Sequence, residues 1–174
     1  MGLLGDIQFD FPEGTHALGR LDNDSEGLLL LTTNKKITRL LFLAKKKHQR
    51  TYLVMVQNVL TGVTLASLKS GIDITIKTGV TYCATPDDIR IVTNPLELCK
   101  QAHDERERYP HTWLLITLSE GKHRQIRKMV LAAKHRCLRL IRISMAGINL
   151  GDMKPGDVEE LDEKAFSQFT GITL

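Results

Sequence analysis

Few cysteines, few aromatics and no long apolar run narrow what this chain can be. Cys83, Cys99 and Cys137 are odd in number and widely spaced, which argues against a disulfide framework or a zinc site and fits buried thiols in a reducing compartment. No apolar stretch approaches the roughly 20 residues of a membrane span. The opening residues, Met1 to Asp6, have neither the basic lead nor the apolar length of a secretory signal, so the expected location is the cytoplasm. Gly-rich phosphate cradles and metal-ligand spacings are missing as well, and neither a cofactor nor a metal is expected. Aromatics make up 5% of the residues, poor provision for stacking a sugar, although Asp22 with Asp24 or Glu26 would supply the paired carboxylates of a glycoside hydrolase.

What is present reads as an ordinary globular chain: 174 residues, 42% hydrophobic and 25% charged, enough for one domain with a sizeable core. The net charge is only +4, but its distribution is uneven. Residues 35–50 hold seven bases (Lys35, Lys36, Arg39, Lys45, Lys46, Lys47, Arg50) and no acid. Residues 120–142 hold eight (Lys122, Arg124, Arg127, Lys128, Lys134, Arg136, Arg139, Arg142) against Glu120 alone. The tail from Gly151 has six acids and two bases. One such block is ordinary for a solvated face; two of one sign, with the acid moved to the tail, favour a polyanionic partner.

Periodicity predicts an α+β chain with a mixed, largely antiparallel sheet flanked by helices. Ile7 to Phe11 alternates like a strand that Pro12 ends. Leu28 to Leu31, closed by Thr32 and Thr33, suits a strand covered on both faces. Asn34 caps a helix from Lys35 to about Ala44, and Arg50 to Val56 forms a strand with Tyr52, Val54 and Val56 on one face. A helix from Thr61 to Ser70 stops at Gly71. Three short strands, Ile72–Ile76, Val80–Ala84 and Ile89–Thr93, read as a meander with turns at Lys77–Gly79 and Thr85–Asp88. Residues 94–112 read as a long surface loop of the kind that binds something. Trp113–Leu118 is a buried strand. A basic helix follows from Lys122 to about Lys134, its bases opposing the helix dipole at the first turn, as is expected of functional sites. His135–Ile143 is a strand with Arg139 and Arg142 projecting, continued through Met145–Gly147. The chain ends in a helix over Asp162–Phe169, with Leu161, Ala165, Phe166 and Phe169 packing down.

The stretch that organises the rest is Gly19-Arg20-Leu21-Asp22, followed by Asn23-Asp24-Ser25-Glu26-Gly27 and the leucine run. An Arg and three carboxylates lie in a Gly-bounded loop on a rigid support, which suits catalysis and equally suits a structural Arg–Asp loop. The whole run from His16 to Thr32 resembles a signature of the RNA pseudouridine synthases, in the group that modifies ribosomal RNA. A second run, Leu118-Ser119-Glu120-Gly121-Lys122-His123-Arg124-Gln125-Ile126-Arg127-Lys128-Met129, is similar to the other signature of the same group. The resemblance covers roughly residues 14 to 161, and the insertion ending Arg106 to Trp113 points to the E-type branch that acts on large-subunit ribosomal RNA.

That resemblance implies the pseudouridine synthase catalytic fold with a central cleft, in a single domain over residues 1–174. The N-terminal strand region and the small S4-type RNA-binding domain of many relatives are expected to be missing. The implied reaction is isomerisation of a uridine in RNA, 23S ribosomal RNA for this branch, by a cytoplasmic monomer with no nucleotide cofactor and no membrane partner. Asp22 is implied as the catalytic carboxylate and Tyr52 as the ring over the target base. Lys122 is implied as the cation paired with Asp22, with Arg124 the fallback. Extracting a base from a stacked strand requires flipping, and the bases expected to grip the RNA are Arg20, Lys45, Lys46, Arg50, Arg124, Arg127, Lys128 and Arg139. The competing expectation is an RNA-binding or ribosome-assembly factor that keeps the fold without the chemistry.

Overall fold

Three apolar segments rich in branched side chains carry the fold, because each must bury both of its faces. The computed structural model describes residues 4–43, 48–76 and 79–172. In chain order its elements are the two-residue strands β1 (His16–Ala17), β2 (Glu26–Gly27) and β3 (Leu31–Thr32), then helix α1 (Lys35–Leu43), β4 (Arg50–Gln57), α2 (Gly62–Ser70), β5 (Ile72–Thr75), β6 (Thr81–Ala84), β7 (Asp88–Val92), β8 (His111–Leu118), α3 (Gln125–Ala132), β9 (Cys137–Met145), β10 (Ile148–Asn149) and α4 (Glu163–Thr170). The main sheet has the order β10-β9-β4-β8-β7, antiparallel throughout, with β2 added in parallel along β9. β4 is its central strand: Leu53, Val54, Met55 and Val56 are all 0% exposed.

Strand alternation gives the main sheet two buried faces, and a third cluster joins Leu18, Leu28, Leu30, Ile37, Leu41 and Phe166. Val54, Val56 and Leu140 pack with Ile126, Met129 and Val130 of α3 on one face. Leu53, Met55 and Ile141 pack with Trp113, Cys99 and Ala102 on the other. Residues 94–110, expected as a loop, therefore form part of the core wall, with 3-10 turns at Pro95–Glu97 and Glu105–Arg108. Burial of Cys99 and Ala102 holds them down. Local signals set the helix ends. The Thr61 hydroxyl accepts from the Thr64 N–H at 3.2 Å, and the Asp162 carboxylate accepts from the Ala165 N–H at 2.7 Å, each satisfying a first-turn donor.

Several expectations need correcting. Ile7–Phe11 forms no strand; the Phe9 and Phe11 rings pack against each other at a tilt instead, ring centres 4.8 Å apart. The leucine run is not one strand: Glu26–Gly27 pairs with β9, Leu31–Thr32 pairs with β1, and Leu28–Leu30 bridges the two. Leucine richness reports burial, and a bridge between two short ladders is buried as thoroughly as a strand. The three-strand meander is broken, because β5 pairs only with β6 while β7 joins β8 in the main sheet. The basic helix begins at Gln125 rather than Lys122. β9 ends in a hairpin to β10 at Ala146–Gly147. Phe169 is half exposed, whereas Phe166 is buried. The turn expected at Lys77–Gly79 falls partly outside the described residues.

Candidate active site

The Gly19–Gly27 loop is held on the edge of β9, and the way it is held decides which side chains meet. Gly27 lies opposite Arg142, and the Leu28 N–H donates to the Arg142 carbonyl at 2.8 Å. Gly27 has φ +97°, and a Cβ there would overlap the Arg142 carbonyl, so glycine is required for this close approach. Upstream, the Ser25 N–H donates to the Asp22 carbonyl at 2.9 Å, closing a turn over Asp22–Ser25.

Two acids then anchor the loop on opposite faces of the sheet. On the α3 face, Arg124 makes a two-pronged pair with Asp24, Nη1 to Oδ1 at 2.9 Å and Nη2 to Oδ2 at 2.7 Å. Arg127 adds its Nε at 3.4 Å and a hydrogen bond to the Asp24 carbonyl. On the insertion face, Arg139 holds both oxygens of Glu26 at 2.9 and 2.8 Å and donates to the His103 carbonyl at 2.8 Å. Arg124 adopts φ +52° and ψ +36°, a left-handed conformation disfavoured for a residue with a Cβ, and the doubled pair to Asp24 offsets that strain. Arg124 holds the Asp24 carboxyl below its ordinary value. Asp24 in turn raises the Arg124 guanidinium, with Asp22 contributing in the same direction.

Asp22 is therefore in the field of Arg124. Its half-buried carboxylate makes no hydrogen bond or ion pair among the described residues, unlike the other two acids of the loop. Lys122, expected to pair with it, makes no ion pair there. Its ammonium lies 4.9 Å above the Tyr82 ring, a cation–π contact. The cause is local: the Tyr82 hydroxyl donates to Glu120, the Gln125 side-chain amide donates to Glu120 at 2.6 Å, and the Lys122 N–H donates to the Gln125 side-chain oxygen (Oε1) at 2.9 Å. These bonds turn Lys122 toward the β6 hairpin and leave Arg124 on the Asp22 side.

Tyr52 is half-buried on β4, directly across from Arg142 on β9. Arg142, expected to project into solvent, is 2% exposed. Its Nε donates to the Leu28 carbonyl at 2.7 Å. Burial pushes its guanidinium down, while the Tyr52 hydroxyl beside it acts the other way. A strict alternation would have placed it correctly: Arg142 shares parity with the buried Leu140.

The remaining expected RNA contacts divide. Arg20 is exposed and makes no ion pair among the described residues; Lys128 is half-buried on α3. The Arg50 guanidinium lies against Gly121. Lys45 and Lys46 lie outside the described residues. Arg124, Arg127 and Arg139 are all engaged with acids of the loop, so they act first as its anchors. An open cavity of about 490 Å³ beside that loop is lined by Glu26, His103, Asp104, Arg106 and Arg139. The Cys137 thiol, near Asp24 and Arg127, is pushed up to about 11 by burial and stays protonated at neutral pH. Arg142 is the residue that sequence reasoning left without a part in the site, and the anchoring of Asp24 by Arg124 is the pairing it did not foresee.

Comparison with known proteins supplies independent findings. The family model described as RNA pseudouridylate synthase matches residues 6–132. The ribosomal large subunit pseudouridine synthase E of Vibrio vulnificus (strain CMCP6) is 38% identical over 148 residues, covering 84% of this chain. The protein of that name from Xanthomonas axonopodis pv. citri (strain 306) is 32% identical over 150 residues, 85% of this chain and 76% of its own length. This chain spans only 61% of the length of the Vibrio vulnificus relative. A solved pseudouridylate synthase has a TM-score of 0.71 at 22% identity, over 92% of this chain and 63% of its own; at that identity the likeness is one of fold.

Proposed function

The chain belongs to the RNA pseudouridylate synthase family, and on that premise we propose that it isomerises a uridine of ribosomal RNA to pseudouridine. The names of the relatives favour the large-subunit RNA. The observation that carries the assignment of Asp22 is its contrast with its neighbours: Asp24 and Glu26 are each held by arginines, while the Asp22 carboxylate stays unpaired within the field of Arg124. An unpaired, half-buried carboxylate beside a cation is available to a substrate, with no arginine to displace first.

In this reading the target nucleotide is flipped out of its strand and enters beside Asp22 and Tyr52. The Asp22 carboxylate acts on the sugar as the bond from C1′ to N1 breaks. The uracil then turns within the site and rejoins C1′ through its C5 carbon; the C5 proton is lost and the freed N1 takes one up, so the product is an isomer of the substrate. No electrons leave the substrate and no group is added, so the reaction calls for no cofactor. Tyr52 supplies a stacking face and a hydroxyl for the C5 proton transfer, and Arg124 supplies the positive charge that the sequence motif assigns to Lys122. Arg20, exposed at the mouth of the loop, grips the RNA backbone. Family membership also favours a cytoplasmic monomer acting on RNA.

Uridine-labelled ribosomal RNA incubated with the purified chain and analysed for pseudouridine tests the proposal. Formation of pseudouridine without added cofactor is the expected result. Tight RNA binding with no isomerisation would instead mark a ribosome-assembly factor.

A further inference from the structure

Arg142 is the most deeply buried charge in the described structure, and nothing acidic accompanies it. Its ion-pair partners among the described residues are nil, one guanidinium nitrogen (Nη2) is buried without a hydrogen-bond partner, and the nearby Arg50 charge opposes it. Burying a cation on such terms is costly, and a sequence retains such a cost where the group has work to do. Its main-chain and side-chain hydrogen bonds reach the segment that carries Asp22, and its side chain lies beside Tyr52. Its main chain pairs with Gly27 and accepts from the Leu28 N–H, its Nε donates to the Leu28 carbonyl, and its guanidinium lies at the Tyr52 hydroxyl from the opposite strand position. One residue thus touches the segment that carries Asp22 and the strand that carries Tyr52.

We propose that Arg142 is a positioning residue: its guanidinium, hydrogen-bonded to the Leu28 carbonyl and lying beside Tyr52 on the neighbouring strand, sets the separation of the Asp22 loop from the Tyr52 phenol. This rests on the roles given above to Asp22 and Tyr52. The planar guanidinium suits the task because its nitrogens point in set directions and reach two acceptors at once. A lysine keeps the charge but serves the two acceptors less well.

The test compares R142M, R142K and Y52F, alone and combined, in the full chain. With Tyr52 intact, R142M is expected to lower kcat about 100-fold with KM changed less than about threefold, since misplacing a reacting group by an ångström has that effect. R142K should recover part of the loss. With Y52F as background, replacing Arg142 should cost less than about threefold, because neighbours that act together are not additive. Unchanged kcat in R142M, or losses that multiply in the double variant, would overturn the proposal. A second measurement does not depend on turnover. The chain has three tyrosines, Tyr52, Tyr82 and Tyr109, so ring-labelled tyrosine gives three resonances in an NMR spectrum. R142K should move the Tyr52 resonance and leave the other two; an unmoved Tyr52 signal also overturns the proposal. Should R142M fail to fold, R142K carries both comparisons. A wild-type chain inactive on every RNA would count against the function and leave the NMR result to judge Arg142.

Discussion

The two halves of the Gly19–Gly27 loop are built on opposite principles. From Asp24 to Gly27 everything is fastened: Asp24 to two arginines of the α3 side, Glu26 to Arg139 on the other face, Gly27 to the β9 ladder. In the first half Arg20 and Asp22 keep their charges unpaired. The fastened half holds the loop in position, and under the proposed function the free half presents its groups to a substrate. Had Asp22 been paired as firmly as Asp24, a substrate would have to displace an arginine before reaching it.

The sharpest way to break this comparison is Asp22→Asn. It removes one carboxylate and no cation, and turnover should fall by at least about 10³-fold, the scale of losing a reacting group, with RNA affinity little changed. Persisting turnover in the asparagine variant would remove Asp22 from the chemistry. Next in size is the choice between cations. Arg124→Met should lower kcat by about 10²-fold, comparable to losing one preorganised donor, while Lys122→Met should have an effect several-fold smaller, because that ammonium is placed on Tyr82. Equal losses, or the reverse order, would return the counter-charge to Lys122.

The smallest effect concerns the fastened half alone. Glu26→Gln removes the charge of a pair whose acid is 47% exposed; such pairs contribute about 0.2–1 kcal/mol. The melting temperature should change little, and a large fall would mean that the anchor also holds the insertion through His103. For Asp24 the sign of the pH effect follows from its lowered carboxyl, caused first by the Arg124 hydrogen bond. The stabilisation is complete above the ordinary value of 3.8 and disappears as the pH falls through the lower folded value. Urea unfolding of wild type and Asp24→Asn from about pH 7 down to about pH 3 should therefore show a gap that closes only at the acid end.

Much of this was legible before any coordinates. Helices α2 and α4 sit where Thr61, Gly71 and Asp162 say they should, because caps and terminators act over a few residues. Strands β4, β8 and β9 followed from apolar runs that have to be buried. Candidates for the site came from the resemblance, which named Asp22, Tyr52 and the Lys122–Arg127 stretch. What the residues could not state was partnership. Whether Leu28–Leu31 is a strand depends on which edges receive its two ends, and one of them, β9, lies over a hundred positions away. Whether Lys122 or Arg124 faces Asp22 depends on Glu120, Gln125 and Tyr82, which turn one away and leave the other.

Local chemistry, then, determined most of the helices and strands and which side chains are candidates for the proposed reaction, because capping, alternation and side-chain chemistry are properties of neighbours in the chain. Only the folded chain decided which charges are neutralised and which stay open, and that an arginine of β9 goes inward against Tyr52. Coulomb and hydrogen-bond energies depend on separation in space, and separation in space is fixed by packing rather than by position along the chain.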